Sequence, residues 1–157
     1  MELKLLADYP DAIPTIARWF HDEWAYLSDN ASLADAEEKL HASLNRDAIP
    51  LMVIALLDGQ IVGTATLRFN NMTIYPEKLH WLGGVYVPAT HRNQGIASAV
   101  ITRLLEVACS LGVETVWLQT EELSGGLYRK LGWQAVEENH YRGHDFLLME
   151  NLLQKAR

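Results

Sequence analysis

The stretch that decides the fold is VYVPATHRNQGIASAVITRLL, Val85 to Leu105. Its β-branched start ends at Pro88, which cannot donate to a sheet ladder. A polar loop follows, carrying His91, Arg92, Asn93 and Gln94. After Gly95, apolar residues recur at helical spacing: Ala97, Val100, Ile101, Leu104, Leu105 and Ala108. The pattern stops near Gly112, and nothing larger than Ile96 stands in the first turns of the helix. A helix start exposes unpaired amides and a partial positive charge. Arg92 adds a full charge with a fork of donors. Gly95 lets a bulky anion approach the backbone, or permits an unusual φ. The bareness therefore makes room for a phosphate. A polar loop that binds nothing accounts for the same residues, and neither GxxxxGK[ST] nor GxGxxG is present.

Working outward, LHWLGGVYV (Leu79 to Val87) reads as a strand, and its paired Gly83-Gly84 implies a bulge or a close backbone approach. ETVWLQT reads as the strand after the helix. The helix between these strands implies a right-handed crossover and a parallel pair. SGGLYRKLG is a short helix ending at Gly132, and WQAVEENHYRGHDFLLMENLL is a closing hairpin turning near Arg142-Gly143. Upstream, LMVIALLDGQIVGTATLRF is a hairpin about Asp58-Gly59. Residues 3–7 form a short first strand. From Ala12, the spacing of Ile13, Ile16, Ala17, Phe20, Trp24 and Leu27 predicts a helix, with Asp11 as its cap and Pro14 in its first turn. A second helix starts at Ser32, where Ser32 and Asp35 resemble a capping box and Leu33, Ala36, Leu40 and Leu44 form the buried stripe. The order is β-α-α-β-β-β-α-β-α-β-β, in which the neighbours joined by tight turns should be antiparallel.

The bounds agree with one domain, residues 1–157. With 49% hydrophobic residues, a substantial core can form. A formal net charge of −7 argues against nucleic acid as a partner. One cysteine, Cys109, allows no intrachain disulfide and fits a reducing compartment. MELKLLADYP has no signal-peptide apolar region, and no apolar run approaches the ~20 residues that span a bilayer. The expectation is a cytoplasmic protein without membrane contact.

RNQGIA fits the pattern R/Q-x-x-G-x-G/A, and VYVPATHRNQGIASAV resembles motif A of the GNAT superfamily of N-acetyltransferases. GGLYRKLGW, further on, resembles motif B, and the likeness extends over roughly residues 3–153. The resemblance implies an α+β fold. Its sheet of six to seven strands is mostly antiparallel, with one parallel, splayed pair and about four flanking helices. It also implies acetyl-CoA as cosubstrate and an acetyl group moved to a primary amine by direct transfer in a ternary complex. Val85, Tyr86 and Val87 would pair with the pantetheine arm. The pyrophosphate would lie on the amides of Arg92, Asn93, Gln94, Gly95, Ile96 and Ala97, with Ser98 in reach. Tyr128 stands where the family places its general acid.

The chain departs from the family at the base, because residues 79–87 contain no carboxylate. His80, Glu121 and Glu122 are candidates, each more simply read on its own as an exposed polar residue at a strand end. The family uses its first two helices to wall the acceptor site. Here Trp19, Glu23 and Tyr26 fall off the core stripe and could hold a cationic amine by charge and cation–π contacts, or simply form a solvated face. His140 and His144 flank a turn without a third ligand, so no metal is expected. The acceptor is a small molecule or a peptide, and the chain a monomer or homodimer. A non-catalytic coenzyme A-binding sensor or interaction module is the alternative.

Overall fold

The computed structural model describes residues 1–27 and 32–153. Its elements are β1 (Glu2–Leu5), α1 (Ile13–Trp24), α2 (Leu33–His41), β2 (Leu51–Leu57), β3 (Gln60–Phe69), β4 (His80–Tyr86), α3 (Ile96–Ser110), β5 (Thr115–Thr120), α4 (Gly126–Lys130), β6 (Gln134–Tyr141) and β7 (His144–Leu152). The seven strands form one sheet in the order β1-β2-β3-β4-β5-β7-β6. Only β4 and β5 run parallel; the other neighbours are antiparallel. The α+β sheet with its single parallel pair is the one the sequence implied. Among the described residues, no helix is long and apolar enough to cross a membrane.

Local details follow from residue chemistry. The β2–β3 turn uses Asp58 at φ 52° and Gly59 at φ 79°, the left-handed pair that a tight hairpin requires. The capping box of α2 forms: Asp35 N–H donates to Ser32 Oγ at 3.1 Å, and Ser32 N–H to Asp35 Oδ2 at 3.3 Å. Two expectations need correction. β1 ends at Leu5, because Leu6–Asp8 turn into a 3₁₀ segment that buries Leu6. Asp11 does not cap α1; a 3₁₀ turn over Pro10–Ala12 runs directly into the helix, so Ala12 is the N-cap, without a side-chain bond.

The apolar run LMVIALL of β2 has no polar alternation because both faces of the strand are covered. Leu51, Val53 and Ala55 pack with Val100, Ile101 and Leu104 of α3. Met52, Ile54 and Leu56 pack with Ile13, Ile16 and Ala17 of α1 and Leu40 of α2. The sheet is thus a middle layer between α3 and the α1–α2 pair.

Two irregularities shape the centre. Thr64 lies opposite Tyr86, while Thr66 lies opposite Gly83, so β4 carries one extra residue. That bulge is held by Thr64 Oγ1 donating to the Gly84 carbonyl at 2.8 Å, with Gly84 at φ 56°. The other irregularity is the parallel ladder. Among the described residues it has one pair, Trp81 opposite Trp117. Beyond that pair, β4 runs on to Tyr86 and β5 to Thr120 without meeting.

Candidate active site

Gly95 is the N-cap of α3, in the left-handed region at φ 79°. No side chain caps this helix. Among the described residues, the first amide of its opening turn to meet a backbone acceptor is that of Ala99, bonded to the Gly95 carbonyl at 3.1 Å. The amides of Ile96, Ala97 and Ser98 are therefore orphan donors. A Cβ placed on Gly95 would meet nothing within 4 Å, so the approach to them is open. Arg92 folds back across the loop. Its Nε donates to the Val87 carbonyl at 2.9 Å, and its guanidinium lies 5.9 Å from the centre of the Tyr86 ring. Asn93 and Gln94 are exposed. The small-residue start holds with one change: Ile96 is buried at 4% exposure, whereas Ala97 is half-buried. Ile96 presses on β3, where a Cβ on Gly63 would stand 2.6 Å from its Cγ2.

Where β4 and β5 part, a cleft of about 870 Å³ opens. Val85 lines it, together with Gly83 and Gly84 of the bulge, Thr66 and Arg68 of β3, and Tyr128 of α4. α1 contributes Phe20, Glu23 and Trp24, and Tyr26 follows them. Gln119, Glu121 and Glu122 enter from the end of β5, and His144 from β7. Tyr86, Val87 and residues 92–98 lie outside this lining; Tyr86 is next in the chain to Val85, which is part of it.

Tyr128 is placed by two glycines. Gly125 at φ 88° and Gly126 at φ 48° turn the chain sharply into the five-residue α4. The Tyr128 ring sits edge-on to the buried Trp133, with centroids 6.2 Å apart. Burial pushes its hydroxyl up to about 12, so at neutral pH it is a phenol donor.

Glu121 is the best-connected carboxylate of the cleft. It accepts a hydrogen bond from the Tyr26 hydroxyl at 2.8 Å, and His144 Nδ1 lies 3.3 Å from it. The hydrogen bond to Glu121, with burial and nearby carboxylates, pushes the Tyr26 hydroxyl up to about 12. Glu122 lines the cleft but is engaged by Ser124, whose Oγ donates to it at 2.8 Å.

Two expected site residues lie elsewhere. His80 starts β4 opposite Phe69, its ring 5.7 Å from that side chain and outside the cleft lining. Trp19 stacks on Tyr86 with centroids 5.2 Å apart and packs against the α1–α2 core, also outside the lining. Phe20 and Trp24 take the place expected for it. Helical spacing assigned both to the core; Phe20 is half-buried and packs against it as well as lining the cleft, whereas Trp24 joins no core cluster among the described residues.

Sequence reasoning missed Arg68 and His144. Arg68 had a signal: Thr64, Thr66 and Arg68 alternate with Ala65 and Leu67, a polar stripe on one face of an otherwise apolar strand. His144 had none. Its meeting with Glu121 depends on β5 pairing with β7, where Thr120 lies opposite Leu147.

The comparisons with known proteins converge on this architecture. The model of the acetyltransferase (GNAT) family matches residues 13–133. No protein of curated function matches the sequence at a significant level. Among solved structures, the fold is similar to that of a ribosomal-protein-alanine N-acetyltransferase from Brucella melitensis (22% identity, 98% of this chain and 100% of that one, TM-score 0.72). A putative acetyltransferase from Salmonella typhimurium, solved with its cofactor acetyl-CoA, is similar at 16% identity over 98% and 94% of the two chains, TM-score 0.75. An aminoglycoside 6'-N-acetyltransferase complexed with coenzyme A matches at 14% identity over 98% and 97%, TM-score 0.75. At such identities these likenesses carry the fold alone. The match of the family model to most of the chain carries more, and it agrees with the uncapped helix start and the parted strands: this protein belongs to the acetyltransferase (GNAT) family.

Proposed function

We propose that the protein moves an acetyl group from acetyl-CoA to a primary amine, directly, with both substrates bound. One observation carries this reading: β4 and β5 part beyond Trp81 and Trp117, leaving strand edges unpaired beside an acid-lined cleft. Acetyl-CoA supplies a thioester-activated acyl group. The uncapped amides at the start of α3, with Arg92, suit its diphosphate, since a helix N-terminus with open access favours a phosphate. The edge of Val85, Tyr86 and Val87 that β3 does not use would pair with the pantetheine arm as an added strand does, beside the Val87 carbonyl that already accepts from Arg92 Nε. An amide of that segment would donate to the acyl oxygen as it gains negative charge. Tyr128 would hydrogen-bond the departing sulfur.

An aliphatic amine titrates near ~10.4 and arrives protonated. Glu121 would take the first proton from the ammonium and pass it to water, then take the second as the C–N bond forms and the C–S bond breaks, with Tyr26 and His144 orienting the carboxylate. Glu23 and Glu122 add negative potential at the same wall, which favours a cationic group. The test pairs calorimetry of coenzyme A with an acetyl-CoA consumption screen over an amine library. The expected result is binding together with turnover of at least one amine. Binding with no turnover across the library would favour a coenzyme A sensor, and no binding would sink both readings.

A further inference from the structure

Arg68 has no part in the transfer chemistry set out above, and its surroundings are unusual. It stands on β3 with its side chain in the cleft. The guanidinium presses on the β4 bulge: a Cβ on Gly83 would stand 2.7 Å from its Cζ, and one on Gly84 2.8 Å from its Nη2. Two glycines thus give the head group its seat. Among the described residues, no carboxylate lies within ion-pair distance of it. Its side-chain partner is neutral, the Asn71 Oδ1 accepting from Nη1 at 3.3 Å. Asn71 in turn donates to Gln119 Oε1 at 3.2 Å, two residues before Glu121. Burial lowers the guanidinium to about 10, which still leaves it charged at neutral pH. Next to it, Thr66 Oγ1 is buried and has no hydrogen-bond partner. That oxygen lies 2.9 Å from the same Cβ position on Gly84.

A half-buried cation without a counter-ion is unfavourable, and so is a buried hydroxyl without a partner. Both lie at one spot in the cleft wall, and one kind of ligand relieves both: a small anion with two coplanar oxygens. We propose that the acceptor is an amino acid or a close analogue, whose carboxylate is held by Arg68 and Thr66 while its amine faces Glu121. This rests on the acetyl-transfer reading and names the substrate class for it. The charge balance selects a carboxylate over a phosphate. Glu23, Glu121 and Glu122 share the cleft, so a dianion would be repelled, whereas a single charge matches one guanidinium fork. Position selects a short molecule. Gly84 immediately precedes Val85, so an anion on Arg68 sits close to the strand where the amine must react. Amine and carboxylate are then separated by a few bonds.

The experiment uses the full chain, the standard L-amino acids and the carboxamide of each. Calorimetry of coenzyme A comes first, followed by acetyl-CoA consumption with every pair. At least one amino acid should react with kcat/KM about 10- to 150-fold above its amide, the range of a lost charge-assisted hydrogen bond. Arg68→Met, similar in length and uncharged, should bring acid and amide together while coenzyme A affinity stays at the wild-type level. Arg68→Lys keeps the charge without the fork and should restore part of the preference. If amides or simple amines react as well as or better than amino acids, the carboxylate is wrong and acetyl transfer stands. An equal loss for acid and amide in Arg68→Met would also overturn the proposal, because Arg68 would then serve the acyl oxygen. No coenzyme A binding by the wild type removes both readings. Should Arg68→Met fail to fold, the wild-type comparison of acid with amide decides by itself.

Discussion

Replacing Tyr128 with Phe removes one oxygen from the cleft wall and leaves the ring against Trp133. The size of the effect follows from proton affinities. Burial pushes the phenol up to about 12, whereas a cysteine-like thiol lies near ~8.5. Complete proton transfer to the sulfur would be uphill by about 3.5 pH units, roughly 5 kcal/mol. On the proposed reading, Tyr128 would steady a departing thiolate by donating a hydrogen bond rather than by surrendering its proton. A hydrogen bond to a charged group contributes about 1.5–3 kcal/mol. Tyr128→Phe should then lose about 10- to 150-fold in kcat. Coenzyme A affinity, read by calorimetry, should hardly move. Nor should the basic limb of the kcat–pH profile shift, because the phenol titrates far above the working range. An unchanged kcat would refute the role. A loss of coenzyme A affinity that matches the loss of rate would make Tyr128 a packing residue.

Gly63→Ala should cost about 1–3 kcal/mol in denaturant unfolding, since its Cβ would stand 2.6 Å from Ile96 Cγ2. Combined with Ile96→Ala, the loss should be smaller than the sum of the two, and simple additivity would disprove that contact. Gly95→Ala meets no neighbour but must hold φ 79°, costing about 1–2 kcal/mol. It should also weaken coenzyme A binding by placing a methyl group over the open amides, and unchanged affinity would remove the loop from the site. Arg92→Glu should weaken coenzyme A about tenfold or more in calorimetry, by replacing an attractive charge with a repulsive one. The alkaline limit of stability has a definite sign. The Tyr128 and Tyr26 hydroxyls rise from 10.0 to about 12 in the folded state, which therefore holds their protons more tightly than the unfolded chain. Their contribution is complete below pH 10.0 and disappears as pH climbs through about 12. The thermal midpoint should fall across that window, and fall less steeply in Tyr128→Phe; an equally steep fall would contradict the shift at Tyr128.

The legible parts of this protein are those set by near neighbours in the chain. Asp58-Gly59 specifies its hairpin because few residue pairs tolerate two left-handed positions in succession. Ser32 and Asp35 specify the start of α2 because each side chain reaches the other's amide within one turn. The uncapped start of α3 was readable for the same reason. Asp11 misled because a 3₁₀ turn competes for the same residues, and the choice between them is made by what Leu6 and Ile13 bury, not by the dipeptide. Trp24 misled because helical spacing shows which residues share a face, but not where the neighbouring layer ends.

What the sequence determined alone is the order of elements, the parallel crossover and the glycine-led start of α3, since each is encoded within a few residues by backbone preference and periodicity. The tertiary structure alone decided the cleft. Arg68 meets Gly83 and Gly84 through the pairing of β3 with β4, and Glu121 meets Tyr26 and His144 from three separate segments. Such encounters depend on strand register and on where two strands cease to pair. Those are set by the packing of the whole sheet between its helices, and no short stretch of chain contains that information.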